Sequence, residues 1–251
     1  MKTNFGIPQN LIIASHLTGI YDVNRNTTLA NDDILLVLEW AKSITRLGLS
    51  GIIFHNNFSE ETCKLYESEY VHFIKVDYDS RYNPNVFRYF IYEEFLNLYH
   101  KHLSNIFLTD ISDVIALKNP FLEPYYLNNS EKIFCGDEPK ILSDEWMQMH
   151  SQHLRNNIKD YSLYEKTYKD EVLLNCGIIG GNISVVYPFI KQLKSIHQNY
   201  NFDNTTKFTG DMGAFNYLIR TCYYDKVIHG HPVNTIFKSY SEDTSCWFKH
   251  K

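Results

Sequence analysis

A chain of 251 residues, 44% of them hydrophobic, is long enough to bury one substantial core, and this size favours a single α/β domain over two. Its formal charge of -5, with no block of lysines or arginines, excludes general nucleic-acid binding, which needs clustered cations against phosphate. Cys63, Cys135, Cys176, Cys222 and Cys246 are scattered and form no C-x-x-C pair. The start of the chain lacks a basic stretch followed by a sustained apolar run, and no segment reaches transmembrane length. A cytoplasmic protein with free thiols is therefore expected. The 19 tyrosines and 16 phenylalanines leave amphipathic rings for flat ligands such as sugars and bases.

Leu11 to Ser15 is a short apolar run and the expected first strand. The loop after it, His16 to Asn26, holds Asp22 and Arg25. Such a loop commonly meets the nucleotide end of a ligand, so both are candidate contacts, Arg25 through its planar fork. Asn31 is expected to cap a helix with Asp32 and Asp33 in its first turn, an Ile34, Leu38, Ala41, Ile44 stripe, and Gly48 at its end. Gly51 to His55, Glu60 to Tyr66 and Val71 to Val76 then read as strand, helix and strand, the rhythm of βαβ crossovers in a parallel sheet. Asn83-Pro84 opens a long helix to about His100. Arg88 and Tyr92 project from one side of it, either exposed or, in the case of Arg88, turned toward a ligand near the next strand.

That next strand, Ile106 to Leu108, runs straight into Asp110, Ser112 and Asp113. Ligands of open α/β sheets bind at the carboxyl ends of interior strands. Two carboxylates so close together repel unless a cation lies between them, and a hard divalent ion is the usual partner. Lys132 to Cys135 is a further strand, with Asp137 and Glu138 after it, and Leu142 to Tyr168 reads as a helical insertion or acceptor-side loop. Leu173 to Gly181 is a strand broken by Gly177, Gly180 and Gly181, glycines that admit a ligand or another backbone. A helix from Ser184 to Asn199, a helix opened by Gly210-Asp211, a strand from Lys226 to Ile228 and the run His229-Gly230-His231-Pro232 follow.

In this order, the apolar strand entering Thr109-Asp110-Ile111-Ser112-Asp113, the Asn175 to Gly181 strand, the Gly210 to Asn216 helix start and a late histidine resemble nucleotide-sugar-dependent glycosyltransferases of the GT-A fold. The resemblance spans about Leu11 to His231. It implies a Rossmann-like, mostly parallel central sheet flanked by helices, in one domain with a donor-binding half at about 1–121 and an acceptor-side half at about 122–251. It also implies Mn2+ or Mg2+ as cofactor, a nucleoside diphosphate sugar, expected to be UDP-linked, as donor, and a hydroxyl of a glycan or other glycoconjugate as acceptor. Asp110 and Asp113 would hold the metal with His229 or His231, while Asp110, Ile111, Ser112, Gly177 and Arg88 would meet the donor. Ser112 stands where the family has its second Asp, so Ser112 and Asp113 are alternatives at the metal. The late segment departs from H-x-x-G-x-x-K, leaving Lys238 as the candidate for the diphosphate.

Breaking a sugar-phosphate bond builds negative charge on the leaving diphosphate, which a cation offsets. If the anomeric centre inverts, a carboxylate must deprotonate the acceptor, and Asp211, Asp137 and Glu138 are the candidates. Two other readings compete: a sugar nucleotidyltransferase, and a non-catalytic carbohydrate-binding protein on the same fold. The first is disfavoured because His16 to Asn26 has one glycine and no Gly-rich phosphate loop.

Overall fold

The structure is a computed structural model that describes residues 1, 3, 5–22, 26–200, 210–240 and 243–251, the side chain of Asp22 excepted. In chain order the strands are β1 (Asn10–His16), β2 (Tyr21–Asp22), β3 (Thr27–Thr28), β4 (Gly51–His55), β5 (Val71–Lys75), β6 (Asn105–Thr109), β7 (Val114–Ala116), β8 (Ile133–Ile141), β9 (Val172–Asn182), β10 (Val227–His229) and β11 (Phe248–His250). The helices are α1 (Leu38–Arg46), α2 (Glu60–Tyr66), α3 (Pro84–Tyr99), α4 (Pro124–Leu127), α5 (Glu145–His150), α6 (Gln152–Asn157), α7 (Tyr161–Tyr168), α8 (Ile183–Tyr200) and α9 (Asp211–Cys222).

Seven strands form the central sheet in the order β10-β8-β9-β6-β1-β4-β5. The β1·β4, β1·β6, β4·β5 and β8·β10 pairs are parallel, and only β9 runs against its neighbours β6 and β8. This is the mostly parallel α/β sheet expected from the sequence. Strand alternation splits the apolar runs between two layers. Leu11, Ile13, Ile52, Phe54, Ile106 and Leu108 meet Tyr89, Phe95, Phe189 and Phe215 of α3, α8 and α9. Ile12, Ala14, Ile53 and Phe107 face the other way, onto Trp40 and Ile44 of α1 and onto Val114, Ala116 and Phe248 of the small β7·β11 sheet. Interior strands therefore read as continuous apolar runs because both faces are covered.

Gly180 marks a tight point in this packing, because a Cβ there would lie 2.1 Å from Cδ1 of the Phe107 ring. Gly180→Ala is expected to destabilise the protein by about 2–3 kcal/mol, near the top of the range for overpacking. An unchanged urea midpoint would show that Phe107 repacks freely.

Two local expectations need correction. The first concerns α1, which does not start at Asn31. Asn31 accepts from Nδ2 of Asn57 at 3.0 Å, Asp32 from the Ser59 amide at 2.8 Å and Asp33 from the Leu35 amide at 3.0 Å, so these residues brace a loop ahead of a short 3-10 turn. The second concerns β8, which does not end at Cys135. Pairing with β9 carries it on to Ile141 through register shifts at Cys135/Gly136 and Asp137/Ile141, which puts Asp137 and Glu138 inside the strand. Among the described residues, no helix is long and apolar enough to cross a membrane.

Candidate active site

A cleft of about 750 Å³ opens over the carboxyl ends of β1 and β6, lined by Ser15 and His16 from the first and Thr109 from the second. The turn after β6 is laced to β9, since the Asp110 amide donates to the Gly177 carbonyl at 2.7 Å. Trp40 Nε1 fixes Thr109 Oγ1 from below at 2.8 Å. β7 follows this turn, and β11 pairs with it antiparallel, with His250 opposite Val114. Trp247, wholly buried against Phe134 and Tyr126 with ring centroids 5.3 and 6.1 Å away, anchors β11. The far end of the chain is thereby returned to the Asp110 turn.

Asp110, Asp113 and His250 each offer a ligand atom, all within 4.8 Å of one another. His250 Nε2 lies 4.0 Å from Asp113 Oδ2, whereas His250 Nδ1 is buried with no hydrogen-bond partner among the described residues. Burial holds the imidazole well below its ordinary range, to about 4; Asp110 opposes that shift, and Arg88 and Lys238 add to it. It is neutral near pH 7 and keeps a lone pair for a ligand. Beneath the group lies Gly177, where a Cβ would come 2.7 Å from both Asp110 Oδ2 and His250 Cε1. Only a glycine lets these two side chains meet over β9. Two carboxylates and a neutral imidazole with an orphaned nitrogen suit a divalent cation, and the imidazole suits Mn2+ better than the harder Mg2+.

Arg88 is the cation already in place. It is buried, contrary to an exposed position on its helix, because Val86, Phe87, Tyr89, Ile91 and Tyr92 around it are buried as well and α3 has no wet side at this level. Its Nη1 is hydrogen-bonded to Asp110 Oδ1, and its Nη2 lies 3.3 Å from Asp211 Oδ2, 3.1 Å from the Tyr89 hydroxyl and 3.2 Å from Cys176 Sγ. Asp211 opens α9 just after Gly210, whose left-handed φ of 69° makes the bend into the helix. One guanidinium thus ties the β6 turn to the first residue of α9. Burial and the neighbouring Asp211 push the Cys176 thiol well up, so it is a protonated donor and no nucleophile.

Asp137 and Glu138 separate across the sheet, as successive strand residues must. Glu138 lines the cleft, with Oε1 accepting from Asn175 Nδ2 at 2.8 Å, and burial raises its carboxyl above the usual range against the opposing pull of that bond. Asp137 instead accepts or shares a proton with His229 Nδ1 at 2.9 Å and packs against Gly230, away from the cleft lining. His229 is accordingly committed to Asp137. His231 Nε2 lies 2.9 Å from Ser245 Oγ, in a group with Asp243 and Cys246 that Ser245 organises through its own bonds to Asp243. Neither His229 nor His231 joins the Asp110 and Asp113 group. That place is taken by His250.

Ile111, Ser112, Asp113, Gly177, Asp211 and Lys238 all line the cleft, Lys238 with its ammonium 5.0 Å from the Phe237 ring centre. Arg25 and the side chain of Asp22 lie outside the described residues. Sequence reasoning missed His250 and Asn175. A signal for His250 was present: Phe248 and His250 alternate around Lys249 as in a half-buried strand.

The sheet order, with its single reversed strand and its cleft at the β1 and β6 ends, is the Rossmann-like GT-A fold. Its likeness among solved structures includes the galactosyltransferase LgtC in complex with donor and acceptor sugar analogues, at a TM-score of 0.51 and 14% identity over 96% of this chain and 86% of that one. Identity this low shows the fold alone. No family model matches the chain, and no curated protein matches it in sequence.

Proposed function

We propose that this chain is a metal-dependent glycosyltransferase that moves a sugar from a nucleoside diphosphate sugar, UDP-linked, to a hydroxyl of a glycan or other glycoconjugate. The observation that carries the reading is the convergence of Asp110, Asp113 and His250 over Gly177 in the cleft of a GT-A sheet. These three residues would hold Mn2+ or Mg2+, which when bound neutralises charge on the leaving diphosphate. Arg88 holds Asp110 and Asp211 in register with each other, and Lys238, in the cleft lining, would supply its ammonium to the diphosphate. The donor side is the part at about 1–121 completed by Gly177, Lys238 and His250, and the acceptor side is formed by β8 and the helices after it. Of the candidate bases, Glu138 is the fitting one: it faces the cleft, and burial raises its carboxyl above the usual range, the direction that makes a carboxylate a better base. Asp211, held by Arg88, serves as a positioning group.

UDP is expected to raise the melting temperature in the presence of Mn2+ and not with EDTA, by the equivalent of about 2.7 kcal/mol at one hundred times the dissociation constant. GDP and CDP serve as competitors in the same thermal-shift series. Equal shifts with EDTA remove the metal from the reading. Stabilisation by sugars alone, with no nucleotide effect, replaces it with a carbohydrate-binding protein.

A further inference from the structure

We propose that Trp146 is the docking platform for the acceptor, and that the acceptor is a saccharide whose ring lies against the indole. This deepens the glycosyl-transfer reading and rests on it. The indole stands on α5, whose N-terminus is capped by Asp144, its Oδ1 accepting from the Trp146 amide at 3.1 Å. Asp144 also pairs with Lys140 at 3.3 Å, which sets that ammonium 5.7 Å from the indole centre. One turn on, His150 places its Nδ1 2.7 Å from the Trp146 carbonyl and stacks on the indole with centroids 3.7 Å apart. The ring is thus clamped before any ligand arrives, and a clamped aromatic loses little conformational freedom on binding.

Trp146, His150, Lys140 and Glu138 line the same cleft as Asp110. β8, which carries Glu138 and leads into α5, is two strands from β6 across β9, about 10 Å by interstrand spacing. A donor sugar can occupy that gap. The platform therefore belongs to the β8 side of the cleft, after Glu138 in the chain. Trp146 is partly exposed although His150 covers part of the ring, and its indole N–H makes no hydrogen bond to another described residue, so the surface left open to the cleft combines apolar ring with a polar rim. A pyranose, with C–H groups on one face and hydroxyls at its edge, matches both.

The chain has three tryptophans, and the other two, Trp40 and Trp247, are no more than 1% exposed, so acrylamide quenching of the folded protein reports on Trp146. The probes are the methyl α- and β-glycosides of glucose, galactose, mannose and N-acetylglucosamine, with and without UDP and Mn2+. At least one glycoside is expected to shield the fluorescence. Trp146→Ala should weaken binding of that glycoside, measured by calorimetry, roughly tenfold or more, and Trp146→Phe should recover most of the affinity. The UDP and Mn2+ thermal shift should persist in both variants, which also checks that they fold. If no glycoside shields Trp146, or if Trp146→Ala binds the shielding glycoside as tightly as the wild type, the platform is overturned. A wild type with no nucleotide shift but with glycoside shielding overturns the transferase reading and leaves the platform standing.

Discussion

Replacing His250 with alanine is expected to remove Mn2+-dependent nucleotide binding, whereas His229→Ala and His231→Ala leave it near wild type. His250 alone of the three brings a buried imidazole to the Asp110 and Asp113 carboxylates, its Nε2 4.0 Å from Asp113 Oδ2. Loss of a group that merely supports a ligand typically costs 10- to 100-fold in metal affinity, so loss of a ligand should exceed about 100-fold. Calorimetric titration of Mn2+ in the presence of UDP measures it, with Asp113→Asn as the companion variant. A His250→Ala protein that binds like the wild type, beside a His229 or His231 variant that does not, moves the metal elsewhere.

The same residue sets an acid limit on stability. Folding holds the imidazole neutral down to about pH 4, while the unfolded chain takes up its proton near the ordinary histidine value of 6.5. The contribution is fully present above pH 6.5 and is lost as pH falls through 4, on the order of 3 kcal/mol in the metal-free protein. Urea midpoints of wild type and His250→Ala should therefore converge on acidification.

The second large effect is expected at Arg88. Arg88→Ala leaves the Asp110 and Asp211 carboxylates facing each other without the guanidinium between them, and breaking a buried pair from one side costs roughly 3–5 kcal/mol. Nucleotide binding with Mn2+ should fall as well, since Asp110 loses the partner that orients it. Arg88→Lys keeps a charge but not the fork that reaches both carboxylates, so it should recover only part of either loss. A urea midpoint within about 0.5 kcal/mol of wild type would return Arg88 to the solvated role that its place on the helix suggests.

The burial of Arg88 shows where reasoning along one element stops. Spacing along α3 predicts which residues share a side, but whether that side is wet depends on what packs there, and α8 and the sheet leave α3 no dry-to-wet boundary at Arg88. Asp137 and Glu138 show the same limit in a strand. Adjacent carboxylates look equivalent in one dimension, yet pairing with β9 extends β8 through both and sends them to opposite sides, one to the cleft and one to His229.

By itself the sequence determined the sheet, because apolar runs such as Leu11 to Ala14 and Ile106 to Leu108 can be satisfied only by burial on both faces, and their alternation with helices makes the pairing parallel. It also determined that carboxylates would stand at the end of β6, since Asp110 follows the strand directly and needs no distant partner to be there. Only the tertiary structure decided which histidine meets them. That choice rests on β11 pairing with β7 and on Trp247 seating in the core, contacts between the middle of the chain and its last residues whose register is set by packing and leaves no local pattern strong enough to distinguish His250 from His229 or His231.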